Sequence, residues 1–450
     1  MASDLSQLGF LLLVSALVAM LMQRLRLPYM VGLMLAGIVL SLLHIALKWH
    51  LSRDLIFSVF LPPLIFEAAL FIEWRELVRD LPVVALLATL GVVMAAAVTA
   101  IGMRWALGWD WASASVFGVL IAATDPVTVI AGFKTSGVKG RVRLLLEAES
   151  LLNDATAAVV FVVTLRILTG NHQSLTAIAG DLFITIVGSP LIGGAVASGF
   201  MFLAGRTPDY LVELTFTTLA AYGSFFLAEH LHCSGVLATL SAGLVVGNFR
   251  SSALVIDADR RAPQSFLDFA AALGESMLLI FAGAKRTMYD IPLISSMTEA
   301  GRQVLVPFWE YLAFIANSLI FLLIGAQEAR QHFVALWWPV LIAVVMVAAG
   351  RATAVYPLCA VFSKGRLRVA LPHQHALFWG GLRGALALAL ALALPDSIPQ
   401  HELITTLSFA VVAFSVFVQG LTFAPMLRRI GIVVAPAGRA ASAAGHDPAS

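Results

Sequence analysis

The chain alternates between long apolar runs and short polar breaks. A run of about 20 apolar residues is enough to cross the hydrocarbon of a bilayer as a helix. Thirteen runs read at that length: roughly 7–23, 29–47, 55–72, 82–103, 113–133, 144–165, 181–204, 211–228, 233–247, 307–326, 333–361, 372–394 and 403–426. A further stretch, 266–283, is interrupted by Asp268 and Glu275. The pattern predicts an all-α polytopic membrane protein with thirteen transmembrane helices.

Composition strengthens that reading. The 450 residues are 60% hydrophobic and 12% charged, against about 25% charged in soluble domains. One soluble core could not hide so much apolar surface. The net charge of +2 comes without a basic run, which excludes nucleic acid as a partner. Cys233 and Cys359 are too few for a disulfide framework or a cysteine metal site and read as packing residues. The histidines show no ligand spacing, and His373 and His375 fall at a span edge, as interfacial residues do. The opening MASDLSQLGF lacks the basic region of a cleavable signal, so the first run is read as a retained helix.

Charge bias sets the orientation, because Lys and Arg concentrate in cytoplasmic loops. With thirteen spans and the N-terminus outside, the inside segments hold most of the basic residues, including Lys134 to Arg143, Lys364 to Arg368 and the Arg428–Arg429 pair. The outside segments hold only Lys48, Arg53, Arg104, Arg166 and Arg330. Counting 266–283 as a span would reverse the last loops. Residues 248–305 are therefore expected to form a cytoplasmic or interfacial insertion, with room for an amphipathic helix lying in the headgroups. Residues 1–430 make the membrane domain, and the small, polar tail 431–450 is expected to be disordered. An odd span count lets spans 1–6 and 8–13 be two inverted six-helix repeats with span 7 between them, a transporter architecture.

Polar interruptions mark the candidate chemistry. Span 5 reads IAATDPVTVIAGF, where Pro126 removes a backbone donor and opposes helix at Asp125. A locally unwound helix offers free carbonyls and amides to an ion; a plain kink capped by Asp125 is the simpler alternative. Span 12, seven spans later, reads LFWGGLRGALALALALALP, with Gly380, Gly381 and Gly384 around a mid-membrane Arg383. Interruptions at matching places in two halves point to a midplane site. Small-residue helix packing with a snorkelling arginine is the alternative.

Span 6 carries ESLLNDATAAVVF. On a helix Ser150 shares a face with Asn153 and Asp154, and Glu149 lies to one side. An intramembrane charge is tolerated where it has a partner or faces a wet cavity. Glu149 has a candidate partner in Arg351 of span 11. Asp154 has no obvious local cation and is the candidate for exchangeable occupancy. Span 3 adds LPPLIFEAALF, where Pro62 and Pro63 are expected to disrupt the helix and Glu67 is an accessory ligand, a funnel residue or a solvated carboxylate near the span's end.

At these residues the sequence resembles the monovalent cation:proton antiporter family, in its bacterial sodium/proton exchanger branch. FLPPLIFEAAL, AATDPVTVIA, EAESLLNDATAAVVF, FWEYLAFIANSLIFLLIG, GRATAVYP and GGLRGALALALAL occur in the family's order across spans 3 to 12. The resemblance implies a homodimer of thirteen-span subunits, each with two inverted six-helix halves and broken helices 5 and 12 crossing near the site. It implies that Asp154 binds ion and proton, that Thr124, Asp125 and Ser150 lie near the ion, and that Glu149 and Arg351 form a structural pair. Glu67 matches an acidic residue near the site. Asn153 matches the electroneutral branch, which exchanges one cation for one proton. The long stretch between span 9 and FWE departs from the family pattern.

The function expected is exchange of a monovalent cation for H⁺ across a bacterial cytoplasmic membrane, with no cofactor. Sodium, lithium and potassium all fit an oxygen ligand set of Asp154, Ser150, Thr124 and the carbonyls around Asp125. A cation channel lined by the carboxylates is one rival. An intramembrane hydrolase using Asp125 and Asp154 as a shared-proton dyad is another, although neither HExxH nor GxSxG occurs.

Overall fold

The computed structural model describes residues 2–25, 27–44, 51–125, 140–168, 175–252, 297–329, 336–395 and 397–432. Pro126 and the second half of span 5, most of the 248–305 insertion, and the tail from 433 onward lie outside the described residues. Within them every regular element is helical and there is no strand. Eight helices are long and apolar enough to cross a membrane.

Chain order begins with α1 (Ala2–Leu25) and α2 (Tyr29–Leu42), then α3 (Leu55–Leu70) and α4 (Trp74–Leu107). Next come α5 (Trp111–Leu120), α6 (Arg141–Leu168), α7 (Leu175–Ala204), α8 (Tyr210–His230) and α9 (Gly235–Ser252). After 253–296, which lie outside the described residues, follow α10 (Glu299–Glu328) and α11 (Trp337–Val361), and two short helices, α12 (Leu371–Trp379) and α13 (Ala385–Leu392). The last is α14 (His401–Arg429).

Pro62 and Pro63 do not break α3, contrary to the sequence expectation. The helix opens with a wide π turn over Leu55–Phe60 and continues through both prolines to Leu70. Proline offers no N–H to the carbonyl one turn upstream, and the wider register of a π turn absorbs that loss without ending the helix. A second π turn, Leu87–Gly91, follows Pro82 in α4.

Buried side chains divide the helices into two bundles that meet along shared elements. One apolar cluster joins α4, α5 and α6 with α11 to α14 and takes in parts of α3, α8 and α9. Two others join α1, α2, α3 and α10 with parts of α13 and α14, and α3, α7, α8, α9 and α10. In the second bundle α2 and α10 touch backbone to backbone. A Cβ on Gly37 would strike the Leu322 carbonyl, and one on Gly325 would strike the Met34 carbonyl. Only small residues allow two membrane helices that approach. At one end of the first bundle Arg141 ties three segments together. It bonds buried Asp80 of α4 at 2.7 Å and donates to the carbonyls of Leu367 and Arg368 before α12.

Candidate ion site

Two interruptions meet inside the first bundle. α5 stops at Leu120, and residues 123–125 are non-helical. Between α12 and α13 the residues from Gly381 to Gly384 are likewise non-helical. The backbones cross there: the Asp125 N–H donates to the Leu382 carbonyl at 2.7 Å. Arg383, 2% exposed, donates from Nη1 to the carbonyls of Ala122 and Ala123. These belong to the turn that ends α5, where carbonyls lack helical partners and the helix dipole is negative. The guanidinium thus satisfies one interruption from the other.

Gly384 is required by the closeness of that crossing. It N-caps α13 in an extended conformation. A Cβ on it would lie 2.5–2.6 Å from Cβ, Cγ and Oδ2 of Asp125. The Asp125 carboxylate therefore rests against the N-terminus of α13, the positive end of that helix.

α6 passes the crossing with its polar face turned toward it. The Ser150 hydroxyl donates to the Thr124 carbonyl at 2.9 Å, and its oxygen lies 2.9 Å from the Thr124 hydroxyl. Ser150 has one proton, and the carbonyl takes it, so the Thr124 hydroxyl donates in the second contact. Asp154 is buried and leaves Oδ1 without a hydrogen-bond partner.

Glu149 has the opposite surroundings. Arg351 grips both its oxygens, Nη1 to Oε1 at 2.7 Å and Nη2 to Oε2 at 2.9 Å, and also donates to the Leu377 carbonyl. Asn153 adds Nδ2 to Oε1 at 3.2 Å, while its own Oδ1 has no partner. Gly381 leaves room for this arginine, since a Cβ there would fall 2.5 Å from Nε. Glu67 is buried on α3 and, with Asp125, lies within electrostatic reach of the Tyr29 hydroxyl.

A small cavity of about 30 Å³ lies between the two bundles here. Thr124, Asp125, Asp154 and Gly384 line one side, and α3 and α10 the other. Glu67 is not among the lining residues. Sequence reasoning missed the carbonyl partners Ala122, Ala123, Leu377 and Leu382, which carry no side-chain signature. It also gave no role to Asn317, which lines the cavity; a lone amide in the apolar run of span 10 was the available signal. Among the described residues no group of three His, Cys, Asp or Glu is placed to hold a resident metal.

Interrupted helices meeting beside a buried carboxylate and a cavity are the anatomy of an ion-coupled secondary transporter. The family model for the transmembrane sodium/hydrogen exchanger matches residues 10–285 and 287–429. Among curated relatives, the Na⁺/H⁺ antiporter ApNhaP of Aphanothece halophytica is 32% identical over 410 residues, covering 91% of this chain and 70% of the relative. The Na⁺/H⁺ antiporter NhaH of Halobacillus aidingensis is 30% identical over 440 residues, 95% and 98% of the two chains. Among solved structures, the sodium proton antiporter MjNhaP1 of Methanocaldococcus jannaschii shares the fold with a TM-score of 0.67 at 20% identity, over 96% of this chain and 99% of that one. The chain belongs to the sodium/hydrogen exchanger family. It is a membrane transporter, not an enzyme.

Proposed function

We propose that the protein exchanges one Na⁺ for one H⁺ by alternating access, with Asp154 as the carboxylate both ions share. Li⁺ and K⁺ suit the same oxygen set. The observation that carries the reading is the Asp154 Oδ1, buried, unpartnered and on a side chain that lines the cavity. The names of the relatives supply the ions.

The buried groups bear on the stoichiometry. Around the crossing stand the carboxylates Asp125, Glu149 and Asp154 and the guanidiniums Arg351 and Arg383, and Glu67 is buried on α3. Arg351 is paired with Glu149, so exchange is assigned to the single carboxylate of Asp154, which takes one proton or one monovalent cation at a time. A bare aspartate at mid-bilayer costs about 2.5–3.5 kcal/mol on insertion scales. The empty site is therefore the one least able to cross, which enforces exchange. Asn153, a neutral amide beside it, adds no second exchangeable carboxylate and keeps the cycle electroneutral. Thr124, Ser150 and the carbonyl near the break supply neutral oxygens. The transported ions are the substrates, and no cofactor enters the scheme.

The architecture proposed with it is thirteen spans, α12 and α13 together forming the twelfth. Spans 1–6 and 8–13 are inverted halves and broken spans 5 and 12 cross at the site. The subunit works as a homodimer in a bacterial inner membrane, N-terminus outside and C-terminus cytoplasmic.

The test is proton flux in proteoliposomes. Wild-type protein should alkalinise an acid-loaded lumen when Na⁺ is added outside, with a half-saturating Na⁺ concentration that rises as pH falls. Asp154→Asn should be inactive at every Na⁺ concentration yet elute in size exclusion as the wild type does. A clamped membrane voltage should leave the rate unchanged. An active Asp154→Asn variant would overturn the shared-carboxylate reading.

A further inference from the structure

The cavity beside Asp154 has two chemically different walls. The wall from α5, α6 and α13 carries Thr124, Asp125 and Asp154. The opposite wall comes from α3 and α10, and four of its residues are apolar: Leu61, Leu64, Ile65 and Phe321. The fifth is Asn317. It is 4% exposed, and no described group hydrogen-bonds its carboxamide. A polar group withdrawn from water without a partner is costly. An amide in that position is explained if its partner is whatever occupies the cavity.

The amide is also firmly carried. Two turns earlier on α10, Trp309 is fully buried, donates from Nε1 to Thr217 Oγ1 at 3.1 Å and packs tilted against Phe66 with ring centroids 4.4 Å apart. One to two turns later come the backbone contacts of Leu322 and Gly325 with α2. The helix segment holding Asn317 is thus fixed against α8, α3 and α2, as a residue that fixes ligand geometry needs to be.

We propose that Asn317 is a cation-selecting residue. Its carboxamide oxygen replaces one water of the incoming alkali cation, on the side of the cavity opposite Asp154. Hard cations take neutral amide and carbonyl oxygens as ligands. A proton bound to Asp154 has no need of this oxygen. Asn317 therefore acts on cation affinity and on the choice among Li⁺, Na⁺ and K⁺, and leaves the proton half of the cycle alone. The inference rests on the proposed role of Asp154, and its test separates the two.

Asn317→Ala, Asn317→Leu and Asn317→Asp are reconstituted beside wild type and Asp154→Asn. Half-saturating concentration and maximal rate are measured for Li⁺, Na⁺ and K⁺ in turn. Loss of one oxygen ligand should raise the half-saturating Na⁺ concentration about tenfold in the Ala and Leu variants, change the ratio between the three cations, and leave the maximal rate near wild type. Asn317→Asp, which keeps an oxygen in place but adds a charge, should hold half-saturation below that of the Ala and Leu variants while shifting the cation ratio away from wild type. A second readout needs no transport: the Na⁺-dependent rise in melting temperature in detergent should vanish in Asp154→Asn and shrink in Asn317→Ala. Unchanged half-saturation and cation ratios beside an inactive Asp154→Asn would overturn the role of Asn317 alone. So would a fall in maximal rate equal for all cations, the mark of a purely structural amide. Full activity in Asp154→Asn would instead remove the reading beneath it. Should the Ala and Leu variants fail to fold, the cation ratio and melting shift of Asn317→Asp decide the matter, since an added charge in contact with the cation must alter both.

Discussion

Glu149 and Asp154 lie on the same helix, little more than a turn apart, and both are buried. Glu149 has every demand met: two guanidinium bonds from Arg351 and an amide bond from Asn153. Asp154 lines the cavity and has one buried oxygen with no hydrogen-bond partner. The depth is similar and the chemistry of the group is the same. What differs is how directly the protein supplies the counter-charge: Arg351 bonds Glu149 itself, whereas Arg383 spends its Nη1 on the Ala122 and Ala123 carbonyls. The first carboxylate is held as a strut, and the second is the one proposed to hold the cation. That contrast predicts that damage to the first carboxylate's pair should appear as lost folding, and damage around the second as lost transport.

The largest effect is expected from Arg351→Ala. It strands Glu149 in the interior and strips the Leu377 carbonyl of its donor. Breaking a buried pair by removing one partner costs about 3–5 kcal/mol, a large share of the stability of most folded proteins. The variant should melt at much lower temperature in detergent and yield little monodisperse protein. Asp154→Asn should do neither. A stable but inactive Arg351→Ala would move Arg351 out of the scaffold and into the transport site.

Next comes Gly384→Ala. The added methyl has no room beside Asp125, so the carboxylate must shift or the crossing must open. A displacement of about 1 Å at a reacting group can cost about 100-fold in rate. The maximal exchange rate should fall by that order, with melting temperature reduced far less than in Arg351→Ala. An unchanged rate would mean that the position of the Asp125 carboxylate does not matter to transport.

The two poles were not equally visible in the sequence. Apolar run length is a direct imprint of the bilayer, so the helical architecture was legible. The helix ends were not. α4 begins at Trp74 rather than 82 because Leu77 and Asp80 bury one face of a polar turn, and the helix runs on beyond the apolar stretch. The interruptions could be anticipated from the aspartate–proline pair and the glycines around Arg383. The partners of Arg383 could not, since backbone carbonyls have no letter of their own. Glu149 and Arg351 could be matched because Arg351 is the one basic residue inside span 11 and needs an acidic partner there. Asn317 escaped notice because its meaning comes from its surroundings: apolar neighbours on its own wall and a carboxylate across the gap.

Ser150 sits between the poles and gives the smallest and most discriminating prediction. By sequence it is Glu149's neighbour. By hydrogen bonding it belongs to Thr124, which lines the cavity together with Asp154. Ser150→Ala deletes one donor and one acceptor, and a typical internal hydrogen bond contributes about 1 kcal/mol. If the serine braces the scaffold, that cost should show as a slightly lower melting temperature with an unaltered half-saturating Na⁺ concentration. If its oxygen helps hold the cation, half-saturation should rise about fivefold, the same 1 kcal/mol read through affinity. The Thr124 contact favours the second outcome. Its oxygen receives the Thr124 proton and gives its own to the Thr124 carbonyl, which leaves one lone pair unused on a residue bonded directly to the cavity-lining Thr124. A shift in affinity would place the boundary between strut and site at the peptide bond joining Glu149 to Ser150.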